Sequence, residues 1–207
     1  MEIPLTAYEP ILHEINSDPS LQEKHRSRNL TFGIIHRRNE SMDYSRNNWI
    51  RGKLYSCLLQ FAEKYVTVPF DSISIGFGDS LQFRRLKNSR GLSFFTACGN
   101  FTGGELTVNS GDLSGNHQLF QQAVCCDFSK HQYCLQPFQG KRITLLFYKF
   151  YCKQYKQLPK WDLREERGEW FFYKGETKMG KNGKKKKTTK YESNMTITRG
   201  DIQLRWD

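Results

Sequence analysis

Nowhere in this 207-residue chain do apolar residues run for the eighteen or so positions that a membrane-spanning helix requires. The amino end, Met1 to Pro10, carries acids where a secretory signal would place basic and then apolar residues, so a soluble intracellular protein is expected, with the nucleus a candidate location. The six cysteines (Cys57, Cys98, Cys125, Cys126, Cys134 and Cys152) include no C-x-x-C spacing. Reduced, buried thiols are the expectation in a chain that meets no oxidising compartment. By the same reasoning the Asn-x-Ser/Thr sequons beginning at Asn29, Asn39, Asn100 and Asn194 are read as chance.

What is present is aromatic and basic. Fifteen Phe and ten Tyr are enough to build a real core, although a mean hydropathy of −0.70 warns of polar segments beside it. At this length one domain with a short appendage is the default. The net charge of +11 and pI near 9.4 point to an acidic partner, nucleic acid before membrane, because no amphipathic anchor accompanies the charge. Eight lysines between Lys174 and Lys190, opposed only by Glu176, supply +7 of the +11. A loop carrying Gly180, Asn182, Gly183 and the run Lys184, Lys185, Lys186 and Lys187 would hold phosphates with little sequence preference and strong salt dependence. A nuclear import signal and a merely solvated loop are the other readings of the same run.

Along the chain, residues 1–27 look like a lead-in arm with a short helix over Ile11–Ile15. Residues 28–173 read as the globular domain, 174–190 as the lysine-rich loop, and 191–207 as strands packing back on the domain. Leu30 opens a strand, and Arg37–Arg46 reads as a surface loop. Apolar residues at Ile50, Leu54, Cys57, Leu58, Phe61 and Tyr65 recur at helical spacing, predicting one helix over Asn48–Tyr65. Beyond Pro69, short strands are predicted at Ser72–Phe77, Leu92–Cys98, Glu105–Val108, Leu119–Phe128 and Arg142–Phe150, with more at Trp170–Tyr173 and Tyr191–Trp206. Short strands at such spacing predict a sandwich or barrel. Arg199-Gly200-Asp201 is read as a turn.

Two motifs sharpen this. Gly103-Gly104-Glu105-Leu106 places paired glycines where the backbone must turn between strands. Some thirty residues on, Pro137-Phe138-Gln139-Gly140-Lys141-Arg142 places an arginine at the start of an apolar strand, where it could grip a carboxylate at two points. In this order, behind a helix, the Ser72–Phe77 strand and Gly91-Leu92-Ser93, they resemble the Fe(II)/2-oxoglutarate dioxygenase superfamily, nearest the base-J-binding and Tet-type nucleobase hydroxylase branch. The resemblance covers Leu30 to Tyr151. It implies a mainly β double-stranded β-helix (jelly roll, cupin-like) with a flanking helix, and it gives Arg142 the role of holding the 2-oxoglutarate carboxylate.

The resemblance also implies an iron site of two histidines and a carboxylate, and here the sequence departs from the pattern. The His-x-Asp position falls near Arg84-Arg85-Leu86, and no histidine lies between His36 and His117. Near the distal histidine's place, His131 is the one weak metal candidate, and a single ligand does not hold iron in water. The expectation is a pseudoenzyme that needs no cofactor and binds nucleic acid, DNA or RNA, or a partner associated with it. Arg84, Arg85, Lys87, Arg90 and the lysine run are its candidate contacts. An active hydroxylase using His117, Asp127 or His131, with Fe(II) and 2-oxoglutarate as cofactors, is one alternative, and a structural subunit with a protein partner is another. For Arg142, capping a strand or pairing with Asp127 competes with a cosubstrate role. His117, Cys125, Cys126, His131 and Cys134 lack finger-like zinc spacing. A nucleophile from Cys98 or Cys134 with His131 lacks an orienting acid.

Overall fold

The computed structural model describes residues 2–22, 29–36, 42–78, 80–109, 111–151, 161–166, 169–174 and 190–192, the last three stretches as backbone. In chain order the elements are α1 (Glu9–Ser17), α2 (Pro19–Gln22), β1 (Leu30–His36), β2 (Met42–Tyr44), α3 (Asn47–Ile50), α4 (Gly52–Tyr65), β3 (Ser72–Gly76), β4 (Ser80–Arg84), β5 (Ser93–Gly103), β6 (Leu106–Val108), β7 (Gly115–His117), β8 (Ala123–Cys126), β9 (Tyr133–Leu135), β10 (Phe138–Tyr148), β11 (Trp161–Glu166), β12 (Glu169–Lys174) and β13 (Lys190–Glu192). A six-stranded sheet runs β2-β1-β3-β10-β5-β8, a four-stranded sheet β4-β9-β6-β7, and a three-stranded sheet β11-β12-β13.

The pairings of the eight strands from β3 to β10 are nested: β6 with β7, β5 with β8, β4 with β9, β3 with β10, all antiparallel. One long hairpin folded at the β6–β7 turn makes those pairs. Rolling that hairpin adds the β5–β10 and β6–β9 contacts and splits the strands between two facing sheets. This is the jelly roll expected from the sequence, two facing sheets that each keep open edges.

Alternation along β10 builds two cores from one strand. Ile143, Leu145 and Phe147 face the helices with Phe94, Ile73 and Ile75, where α4 contributes Leu54, Leu58, Phe61 and Ala62. Leu146 and Tyr148 face the second sheet, among Phe95, Leu106, Phe128, Tyr133 and Leu135. Each fully buried Phe or Leu contributes about 1.5–3 kcal/mol, so both layers are held mainly by apolar burial.

The structure departs from the sequence expectations at several points. Residues 2–22 add Ile3, Tyr8, Ile11, Ile15 and Leu21 to the helix-side core, and the Tyr8 hydroxyl bonds Thr96 Oγ1 at 2.7 Å. The predicted helix over Asn48–Tyr65 breaks at Arg51 (φ −128°, ψ 44°), whose guanidinium donates to Asp18 Oδ2, Asn47 Oδ1 and Ser20 Oγ instead of extending along one helix. Part of the predicted loop is β2, which pairs with β1. The strand expected at Leu119–Phe128 shortens to β8 because Gln121 takes a left-handed φ of 56°. Gly103 and Gly104 (φ 75° and 76°) do not join a hairpin: they carry the chain out of β5 and across to β6 in the other sheet. Arg142 lies well inside β10, which begins at Phe138.

Candidate functional site

Arg142 occupies the inward face of β10 and is 1 % exposed. Its Nη1 donates to the carbonyls of Gly104 (2.9 Å) and Gln136 (3.2 Å), and Nη2 donates to the carbonyl of Gly78 (3.1 Å). The Phe138 ring lies 4.1 Å from the guanidinium carbon. The arginine thus ties together the turn after β3, the β5–β6 crossover and the approach to β10. Gly104 is required beside it, since a Cβ there would come within 2.3 Å of Nη1 at a φ of 76°. Both Nη1 hydrogen bonds and the Nη2 hydrogen bond thus go to backbone carbonyls. Asp127, the other partner considered for Arg142, accepts from Ser129 and pairs with Lys130 Nζ at 3.1 Å. Its carboxyl lies below the usual range: burial would raise it, but the hydrogen bonds from Ser129 and Lys130 outweigh that.

The fold brings together the two places where iron ligands were expected. Arg84, at the end of β4, pairs in register with Tyr133 at the start of β9. The Arg84 guanidinium carbon sits 5.4 Å from the centre of the Tyr133 ring, in the cation–π range. Tyr133 is 2 % exposed and packs on Phe128 and Phe95, with ring centres 4.7 and 5.9 Å away. Burial raises the Tyr133 phenol's pKa more than Arg84, by charge and hydrogen bond, lowers it. Leu86 turns into the inter-sheet core, and its N–H donates to the Phe128 carbonyl at 2.8 Å. A guanidinium, a neutral phenol and an alkyl chain are not a donor set for Fe(II).

His131 stands two residues before the position opposite Arg84, its ring against Gly111, where a Cβ would come within 2.7 Å. His117 lies on β7, with Nε2 2.7 Å from the Leu113 carbonyl oxygen. Among the described residues, no three His, Cys, Asp or Glu side chains gather where a metal ion could bind. Cys125 and Cys126 point to opposite faces of β8, one against each core. Cys98 is buried, and burial pushes its thiol up to about 12.

The basic rim is open. Arg84, Arg85, Lys87 and Arg90 are exposed. The segment is anchored by its backbone: Arg90 N–H donates to the Lys149 carbonyl, and Tyr151 N–H donates to that of Asn88, both at 3.0 Å. Arg90 lies over the Tyr151 ring at 5.8 Å. Lys184, Lys185, Lys186 and Lys187 lie outside the described residues. Nothing in the sequence alone singles out Tyr133. Its position two residues beyond His131 was visible there, but its role depends on the β4–β9 register, which is set by tertiary pairing.

No protein-family model matches the chain, and no curated protein is found similar to it. Among solved structures the chain is similar to NgTET1 in complex with 5mC DNA. The two are 12% identical, with a TM-score of 0.54, over 75% of this chain and 72% of that one. The likeness is one of fold: the chain carries the β-rich, cupin-like jelly roll of that structure.

Proposed function

We propose that this protein is a dioxygenase-fold chain without iron chemistry that binds nucleic acid through Arg84, Arg85, Lys87 and Arg90, assisted by the lysine-rich run. The observation that carries this reading is the Arg84–Tyr133 pair. It puts a fixed positive charge and a protonated phenol where the resemblance implies metal ligands. Arg142 supports it, because three hydrogen bonds from its guanidinium go to backbone carbonyls. The presence of DNA in the NgTET1 structure supports the choice of nucleic acid over other polyanions.

The test has two arms on the full chain. Calorimetric titration with Fe(II) and with Mn(II), each with and without 2-oxoglutarate, is expected to show no saturable heat. Tight stoichiometric binding overturns the loss of iron chemistry. Anisotropy with labelled DNA and RNA is expected to show binding that weakens steeply with salt, as contacts to phosphates require. Binding at physiological salt no stronger than that of another basic protein of equal charge overturns the nucleic-acid role.

A further inference from the structure

The register of β4 contains a surplus. Ser80 pairs with Leu135 and Arg84 with Tyr133, so Leu81, Gln82 and Phe83 stand opposite Cys134 alone. The extra residues form a bulge, a device that re-aims side chains and sharpens local twist. What it re-aims is apolar: Leu81 is 61% exposed and Phe83 45%. β4 is also the edge of its sheet, with β9 as its one neighbour.

The bland account is edge protection, in which a bulge and nearby arginines keep another chain from pairing there. That account explains the bulge and the charges. It does not explain a leucine and a phenylalanine turned outward on the same edge, which invite the contact the arginines would prevent. Scattered exposed apolar residues are ordinary, but these two share one bulge and run directly into Arg84 and Arg85. From Ser80 to Gly104 the chain carries four cations and no acid. The segment is therefore apolar, aromatic and basic at once. Tyr151, 39% exposed, is tied to the same segment through Asn88 and Arg90.

An anion with flat apolar faces satisfies all of this. Unpaired nucleobases stack on an aromatic face while their phosphates take the cations. In a duplex the same faces are hidden against neighbouring base pairs. We propose that the Leu81–Phe83 bulge is a base-stacking platform, and that the nucleic acid bound here presents unpaired bases, with Phe83 as the principal stacking face and Arg85, Lys87 and Arg90 on the phosphates. This rests on the nucleic-acid reading above and specifies the form of the ligand.

The experiment measures the affinity of the full chain for a fluorescent single-stranded oligonucleotide and for the duplex of the same sequence, across a salt series. Wild type, Phe83→Ala, Phe83→Trp and Arg85→Ala are compared. The expected results are tighter binding to the single strand and a loss of about tenfold in Phe83→Ala with an unchanged salt slope. Phe83→Trp should restore affinity, and Arg85→Ala should lower the slope. Because Phe83 is exposed, the variants are expected to fold, and circular dichroism verifies it. Single-strand affinity equal in wild type and Phe83→Ala overturns the platform and leaves the nucleic-acid reading intact. No binding to either oligonucleotide by wild type overturns both. Competition by polyglutamate as effective as by an oligonucleotide of equal charge assigns the surface to an acidic protein and overturns the proposal.

Discussion

Arg142 and Arg84 differ in almost everything except charge. Arg142 is buried and donates to carbonyls from three separate segments. Arg84 is exposed at a sheet edge, resting on one tyrosine ring. A buried guanidinium has been removed from water at a cost recovered only through its hydrogen bonds, and those bonds organise the fold. An exposed one has little effect on the fold and keeps its donors available. The same residue type is therefore a structural tie at one place and, in the function proposed above, a ligand contact at the other.

The strongest way to break this comparison is to remove each arginine. Arg142→Met is expected to cost about 3–5 kcal/mol in urea unfolding, since three inward carbonyls lose a charged donor. Arg84→Met is expected to cost under about 1 kcal/mol while weakening oligonucleotide binding. Equal costs in the two variants would show that exposure does not separate their roles.

Gly104→Ala sharpens the point from the neighbouring backbone. The added methyl meets Arg142 Nη1 at 2.3 Å, and the residue must hold a φ of 76°. A loss of about 1–3 kcal/mol is expected from the strained conformation and the displaced guanidinium. Combined with Arg142→Met, part of that loss should vanish, because the methyl then has a thioether rather than a bonded guanidinium to displace. A non-additive double-mutant cycle measures the coupling. Strict additivity would place the whole cost of the alanine in its backbone.

The sequence made one of these two arginines easier to read than the other. Paired glycines and the Pro137–Arg142 pattern mark the crossover and the inward strand, because glycine and proline restrict the backbone locally. They cannot say which strands pair, so Gly103-Gly104 reads as a hairpin although it joins two sheets. Arg84 stands out in the sequence as a departure from an iron motif, but its partner does not, since Tyr133 lies about fifty residues away and meets it only through the β4–β9 register. The bulge was invisible for the same reason: Leu81-Gln82-Phe83 alternates like any strand until its partner proves shorter. Residues 1–27 read as an arm because scattered apolar residues have no local signature of burial, and Tyr8 finds Thr96 only in the folded chain.

At the rim, smaller effects are expected one cation at a time. Arg85→Ala and Arg90→Ala should each lower the slope of log affinity against log salt by about 0.7–0.9, with stability changed by less than about 0.5 kcal/mol. Arg90 is the more informative of the two, because its guanidinium also covers Tyr151. A stability loss above that bound would make Arg90 part of the structural set with Arg142.

The smallest expected effect comes from an arginine of intermediate kind. Arg51 is partly buried, and its Nε donates to Asp18 Oδ2 at 2.9 Å, so it is held by a carboxylate rather than by carbonyls. For Asp18, burial would raise the carboxyl, but hydrogen bonds from Ser20 and the charge of Arg51 outweigh it and leave the pKa lowered. A carboxyl whose folded pKa lies below its unfolded value stabilises the protein above the unfolded pKa, near about 4, and loses that contribution as pH falls through the folded value. Below about pH 4, wild type should therefore lose stability faster than Asp18→Asn, while at neutral pH the two differ by less than about 1 kcal/mol. Urea midpoints across that range measure it, and parallel curves would remove Asp18 from the acid response. The carbonyls that hold Arg142 do not titrate, so its contacts should outlast the Arg51–Asp18 pair as acid is added.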